Sequence, residues 1–132
     1  MMVDASESVT KENWPFMLEF VSSVVGSFEI STRGTHLGLI VFSRDAAISL
    51  YFNTLQENNL TATNVTKVVN NLQYKDGWSR FDLALLLAEE ELFNEATGMR
   101  NEIPKVQQGF TLTRDHSWVL PAKMQELKAF QG

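Results

Sequence analysis

Asp4, Ser6 and Ser8, in the run Asp4-Ala5-Ser6-Glu7-Ser8, set one carboxylate and two hydroxyls at alternate positions directly after a short apolar stretch. Alternate side chains of a loop leaving a strand can aim at one point. Hard oxygen donors gathered this way suit Mg2+ or Ca2+ far better than a soft transition metal. The same residues also serve ordinary turns and helix caps, where Asp and Ser are favoured. A hydrolase would need Ser6 or Ser8 paired with His116 and an acid such as Asp115, but no G-x-S-x-G elbow precedes a helix in this chain. No G-x-x-x-x-G-K-[ST] loop is present for phosphoryl transfer either. His36 and His116 have no second histidine at ligand spacing, so each reads as a surface or structural residue. The chain is therefore not read as an enzyme.

The 132 residues, 44% of them hydrophobic, are enough for one sizeable core, and a single domain over residues 1–132 is expected. A net charge of −5, with the acidic residues spread along the chain, leaves no basic stripe for a phosphate backbone and excludes nucleic acid as the expected partner. Without cysteine there are no disulfides and no thiolate metal site. No run approaches the length of a membrane-spanning helix, and no charged leader precedes an apolar segment, so neither membrane insertion nor a signal peptide is expected.

The elements that must position the acidic and hydroxyl run follow from periodicity. Met1 to Val3 forms the tail of a strand, short enough that the sequence is expected to begin inside one. Trp14, Met17, Leu18, Val21, Val24, Val25 and Phe28 make a helical stripe, with Thr10 or Asn13 to cap it and Pro15 tolerable in the first turn. Leu37 to Phe42 is continuously apolar, as a strand covered on both faces should be. Ala46 to Phe52 follows after too few residues for a parallel crossover, so the two strands must form an antiparallel hairpin. Val65, Val68, Val69 and Leu72 mark a short amphipathic helix, and Phe81, Ala84, Leu85, Ala88 and Leu92 another, with Glu89 to Glu91 as a solvated face. Gly98 is expected to stop that helix, Pro104 to Thr113 is a weak strand, and Leu120, Met124, Leu127 and Phe130 mark a last helix. Two triplets, Asn59-Leu60-Thr61 and Asn64-Val65-Thr66, fit the N-glycosylation acceptor.

In order and spacing these segments resemble the von Willebrand factor A domain family, which includes the A domains of integrins, matrilins and non-fibrillar collagens. DASES stands where the family has its D-x-S-x-S metal-ion-dependent adhesion site, LGLIVFSRDAAISLYFN resembles its central strand and antiparallel edge, and DGWSRFDLALLLAEEELF resembles its second loop and the helix that follows. The resemblance implies an α/β fold with a doubly wound, mostly parallel sheet and one antiparallel edge strand, here incomplete at both ends. It implies a cation, Mg2+ or else Ca2+ or Mn2+, at the carboxyl ends of the strands. It further implies as ligands Asp4, Ser6, Ser8 and, in place of the family's threonine, Ser79. The family's last ligand is the aspartate of a T-D-G motif, and the matching stretch reads Thr113-Arg114-Asp115. Aligned without a gap, Arg114 takes the place of the aspartate, and a guanidinium about 5 Å from a divalent ion costs about 6 kcal/mol at an effective dielectric near 20. A shift of one residue brings Asp115 into the role instead.

The function implied is an adhesion or extracellular-matrix module that recognises an acidic group of a protein partner through the ion, secreted or carried on an ectodomain. Glu7, Trp78 and Arg80, beside the ligands, are the expected partner contacts. Trp78 and Tyr74 can alternatively be read as packing at the sheet edge. The other reading is a degenerate, metal-free domain with a structural role. Whether Arg114 or Asp115 faces Asp4 separates the two.

Overall fold

The computed structural model describes residues 1–112 and 118–119. Five strands form one sheet: β1 (Met2–Asp4), β2 (Leu39–Phe42), β3 (Ala46–Leu50), β4 (Gly109–Leu112) and β5 (Trp118–Val119), in the spatial order β3-β2-β1-β4-β5. The strand β1 runs parallel to β2 on one side, with Val3 opposite Val41, and parallel to β4 on the other, with Val3 opposite Phe110. All three residues of β1 and all four of β2 are buried. That is the cause of their unbroken apolar sequence, because a strand covered on both faces has no solvated side to alternate with. β3 pairs antiparallel with β2 and alternates between partly buried and exposed positions up to the buried Leu50, which marks a sheet margin.

The doubly wound, mixed sheet expected from the sequence is present, with the hairpin at β2 and β3. The structure adds a second antiparallel pair, β4 with β5, which periodicity did not indicate. The expected strand from Pro104 narrows to Gly109–Leu112, because Pro104 has no N–H for a ladder and the preceding glutamines lack the apolar density of a buried strand. The last helix expected over Leu120 to Phe130 lies outside the described residues.

Helices cover both faces. The helix α1 (Trp14–Gly26) turns Trp14, Met17, Val21 and Val25 inward at helical spacing. Its Pro15 sits in the first turn, where the missing N–H costs nothing. Neither expected cap bonds the helix end directly: Asn13 is the N-cap residue without a side-chain bond, and the Thr10 hydroxyl instead accepts from the Asn13 N–H at 3.3 Å. The helix α2 (Ala62–Asn70) is capped by the Thr61 hydroxyl, which accepts from the Asn64 N–H, and buries Val65 and Val69 beside α1. On the opposite face, α3 (Phe81–Leu87) continues into a wider turn over Ala88–Leu92. Its Ala84, Ala88 and Leu92 pack with Met2, Ile40 and Phe42. Glu89, Glu90 and Glu91 are exposed, as expected.

Gly98 has a different task from the one expected. The helical run has already ended at Leu92, and Gly98 closes a separate short turn over Glu95–Thr97 in a left-handed conformation with φ of 97°. A Cβ there would stand 2.8 Å from the Asn53 backbone nitrogen, so the position excludes side chains for two reasons.

Candidate metal centre

Asp4 ends β1, which lies in the sheet between two parallel neighbours, β2 and β4. This is the point where open α/β sheets leave a crevice at the carboxyl ends of their strands. Its side chain has no exposed surface. Oδ1 accepts from the Ser6 N–H at 2.9 Å, which shapes the loop as a tight Asp turn. Oδ2 accepts from three hydroxyls carried by three different segments: Ser8 at 2.9 Å, Ser79 at 3.1 Å and Thr111 at 2.5 Å. Ser6 Oγ lies 2.9 Å from Ser8 Oγ and also accepts from the Ser8 N–H. A turn or cap uses one or two of these bonds; it does not require hydroxyls brought from 75 and 107 residues away in sequence.

The loops are held by backbone bonds, which is what lets short side chains converge. The Ala5 N–H donates to the Phe42 carbonyl, so the first loop continues the ladder of β1 on β2. The Ala5 carbonyl accepts from the Lys75 and Asp76 N–H groups at 3.0 and 2.9 Å, and the Glu7 N–H donates to the Gly77 carbonyl at 2.8 Å. The second loop is thereby clipped to the first, and its far end is fixed by the Arg80 N–H on the Ser43 carbonyl. Asp76 and Gly77 both adopt left-handed φ values, 65° and 81°, which reverse the chain just before Ser79.

Asp4, Ser6, Ser8 and Ser79 are therefore brought together. Arg114 and Asp115 lie outside the described residues. The group that β4 presents to Asp4 is Thr111, one residue beyond the Val3–Phe110 pairing. The sequence reading centred on Thr113-Arg114-Asp115 and missed it. The available signal was the side-chain alternation of Phe110 and Thr111, which puts an aromatic group into the core and a hydroxyl on the other face. Of the expected partner contacts, Trp78 is 72% exposed beside Ser79 and Glu7 is exposed. Arg80, also exposed, is engaged by Asp82 through two bonds of 2.9 and 2.8 Å. Its guanidinium holds the Asp82 carboxyl below the usual carboxylate range. Tyr74 is half-buried and packs against Trp14 with ring centroids 6.0 Å apart. Burial pushes its phenol up, as do the charges of Asp76, Glu12, Glu7 and Asp4.

The donor set fits a hard cation. It is all oxygen, built on one buried carboxylate with serine and threonine hydroxyls around it, and it offers no soft ligand. Among the described residues no three His, Cys, Asp or Glu side chains cluster.

A profile of the von Willebrand factor type A domain matches residues 1–118. Human Matrilin-4 is 29% identical over 130 residues, which is 93% of this chain and 20% of that protein. Human Cochlin is 34% identical over 76 residues, 58% of this chain and 13% of that protein. The human Collagen alpha-1(XX) chain is 31% identical over 105 residues, 80% of this chain and 8% of that one. The chain thus spans a fifth or less of these relatives. Among solved structures, proximal thread matrix protein 1 of the mussel byssus superposes with a TM-score of 0.65 at 24% identity, over 75% of this chain and 26% of that one. A further structure of that mussel protein, of TM-score 0.65 at 24% identity over 76% of this chain and 27% of that one, is described with zinc occupying its metal-ion-dependent adhesion motif. By the match over nearly its whole length, this chain belongs to the von Willebrand factor type A domain family.

Proposed function

We propose that the chain is a single adhesion or extracellular-matrix interaction module, residues 1–132, that binds an acidic side chain of a protein partner through a divalent cation. The observation that carries this reading is the convergence of three hydroxyls from separate segments on the one buried carboxylate, Asp4. Asp4 supplies negative charge, and Ser6, Ser8 and Ser79 supply oxygen ligands. Thr111 orients Asp4, and Asp115 is the candidate for a second carboxylate. When bound, Mg2+, Ca2+ or Mn2+ would offer a coordination position to a partner carboxylate. Glu7, Trp78 and Arg80, next to the ligands in sequence, would be the recognition contacts, and Trp78 is 72% exposed. The family relatives support an extracellular setting and a binding role rather than catalysis. That a protein of the same fold holds zinc in such a motif supports the cation.

The test is a melting titration of the wild type and of Asp4→Ala with Mg2+, Mn2+, Ca2+ and a chelator. A cation at a hundred times its dissociation constant stabilises the folded state by about 2.7 kcal/mol. The wild-type midpoint is expected to rise with the cation and fall back with the chelator, while Asp4→Ala stays flat. A second reading has its own observation: Asp4 already receives one N–H and three O–H donors, so its charge is met by the protein alone. A wild-type midpoint indifferent to every cation would overturn the metal-dependent reading in favour of this structural one.

A further inference from the structure

Asn59 stands in the connection between β3 and α2, as the first residue of Asn59-Leu60-Thr61, one of the two triplets in the chain that fit an N-glycan acceptor. It is exposed, as are Gln56, Glu57 and Asn58 before it. Its N–H donates to the Gln56 carbonyl at 3.0 Å and closes the short turn Glu57–Asn59, and its carbonyl accepts from the Thr61 N–H at 3.0 Å. With Leu60 at φ −83° and ψ 86°, the triplet is itself an inverse γ-turn, pinned by the buried Leu60 side chain. The Asn59 backbone is thus engaged, while its carboxamide has no hydrogen-bond partner among the described residues. An exposed side chain that holds nothing can carry a bulky, hydrated substituent without breaking a contact. The Thr61 hydroxyl accepts from the Asn64 N–H, and its own proton is given to no acceptor among the described residues.

The other triplet, Asn64-Val65-Thr66, is placed differently. Asn64 lies in the first turn of α2, is half-buried, and donates from Nδ2 to the Asn59 carbonyl at 2.9 Å. Val65 beside it has no exposed surface, so this triplet runs along a helix packed on the core. A glycan on that nitrogen would press against the loop it ties down. Asn59 also lies clear of the cation site. β3 ends at Leu50, opposite Leu39 at the start of β2, whereas the chain beyond α2 brings Lys75 and Asp76 to the Ala5 carbonyl. The nine residues of α2, about 13 Å long, therefore separate Asn59 from the loops around Asp4. A glycan on Asn59 leaves the carboxyl ends of the parallel strands open to a partner.

We infer that Asn59, and not Asn64, is the attachment site of an N-linked oligosaccharide, an inference that rests on the extracellular setting proposed above. The donor is an oligosaccharide joined through its C1 to a lipid diphosphate. In the transfer the C1–O bond breaks with its electron pair going to the departing diphosphate, the Asn59 Nδ2–C1 bond forms, and the proton that Nδ2 gives up ends on that diphosphate. The test is expression of the whole chain behind a cleavable secretion leader in cultured mammalian cells. Intact mass and peptide maps of the cell-retained and the secreted chain are compared before and after an N-glycan amidase, which leaves an aspartate where the linked asparagine was. One glycan is expected in the wild type and in Asn64→Gln, with the aspartate mark at position 59, and it is expected to be lost in Asn59→Gln. Thr61→Ser, which keeps the hydroxyl and the helix cap, is expected to retain it. The wild-type map needs no variant, so a variant that failed to fold would not obscure the result. A wild-type mass that the amidase does not change, an aspartate mark at position 64, or a glycan that persists in Asn59→Gln would each overturn the inference. Chain secreted without a glycan would overturn this inference alone and leave the extracellular reading standing. Chain held in the cell with its glycan would support the site and count against that setting.

Discussion

Thr111 is the group on which the balance at Asp4 turns, because its hydroxyl reaches the carboxylate from the strand facing β1 at 2.5 Å. Thr111→Val keeps the shape and removes that donor. It is expected to lower stability by about 1.5–3 kcal/mol in chelator, as judged by urea unfolding, since one hydrogen bond to a buried charged group is lost while two hydroxyls and an N–H remain. Ser79→Ala should cost a similar amount and in addition reduce any cation-dependent rise in the melting midpoint, if Ser79 is a ligand. Tyr74 reports the same neighbourhood from the side of pH. Its folded value lies above the ordinary phenol value of 10.0 because of burial and the acidic groups around it. The folded state therefore keeps this proton when the unfolded chain loses it. The associated stability is complete below pH 10 and is lost as pH rises through the folded value. Tyr74→Phe should flatten this part of the alkaline decline, measured by comparing urea midpoints at pH 8 and pH 11.

Among the connecting segments, the loop that Gly98 closes is tightly constrained. Its φ of 97° and the 2.8 Å approach to Asn53 leave no room for a side chain. Gly98→Ala is expected to destabilise by about 1–3 kcal/mol in equilibrium unfolding, whereas Gly26→Ala, with open space around its Cβ position near the end of α1, should be neutral or stabilising. The contrast separates a glycine that geometry requires from one that it tolerates. The stripe of α1 and the capping of α2 by Thr61 are local properties, and both follow from side-chain spacing and hydroxyl chemistry alone.

The sheet separates two cores, one under α1 and α2 and one under α3, and their members do not overlap. Met17→Ala on the first face and Leu92→Ala on the second should each cost about 2–5 kcal/mol. Because the sheet stands between them, the double variant should show costs that add within about 0.5 kcal/mol, measured by the same unfolding experiment. A large departure from additivity would mean that the two layers are coupled through the short central strand β1.

The sequence by itself determined the layers and three of the four donors around Asp4, because those properties are encoded in short windows. The apolar run Leu37 to Phe42, bounded by turn residues, reads as a strand covered on both faces, and the strand is found at Leu39–Phe42; three residues between two strand segments are too few for a parallel crossover. Asp4, Ser6 and Ser8 lie within five residues, and Ser79 was found through the family pattern of the second loop. Only the tertiary structure decided that Thr111 meets Asp4 and that Arg80 is engaged by Asp82. Each of these depends on the register between strands or on the path of a loop, both fixed by long-range packing. Alternation with Phe110 marks Thr111 as facing away from the core that Phe110 joins, but a shift of two residues along β4 would keep the same periodicity, so only the register of β4 on β1 selects Thr111 over Thr113.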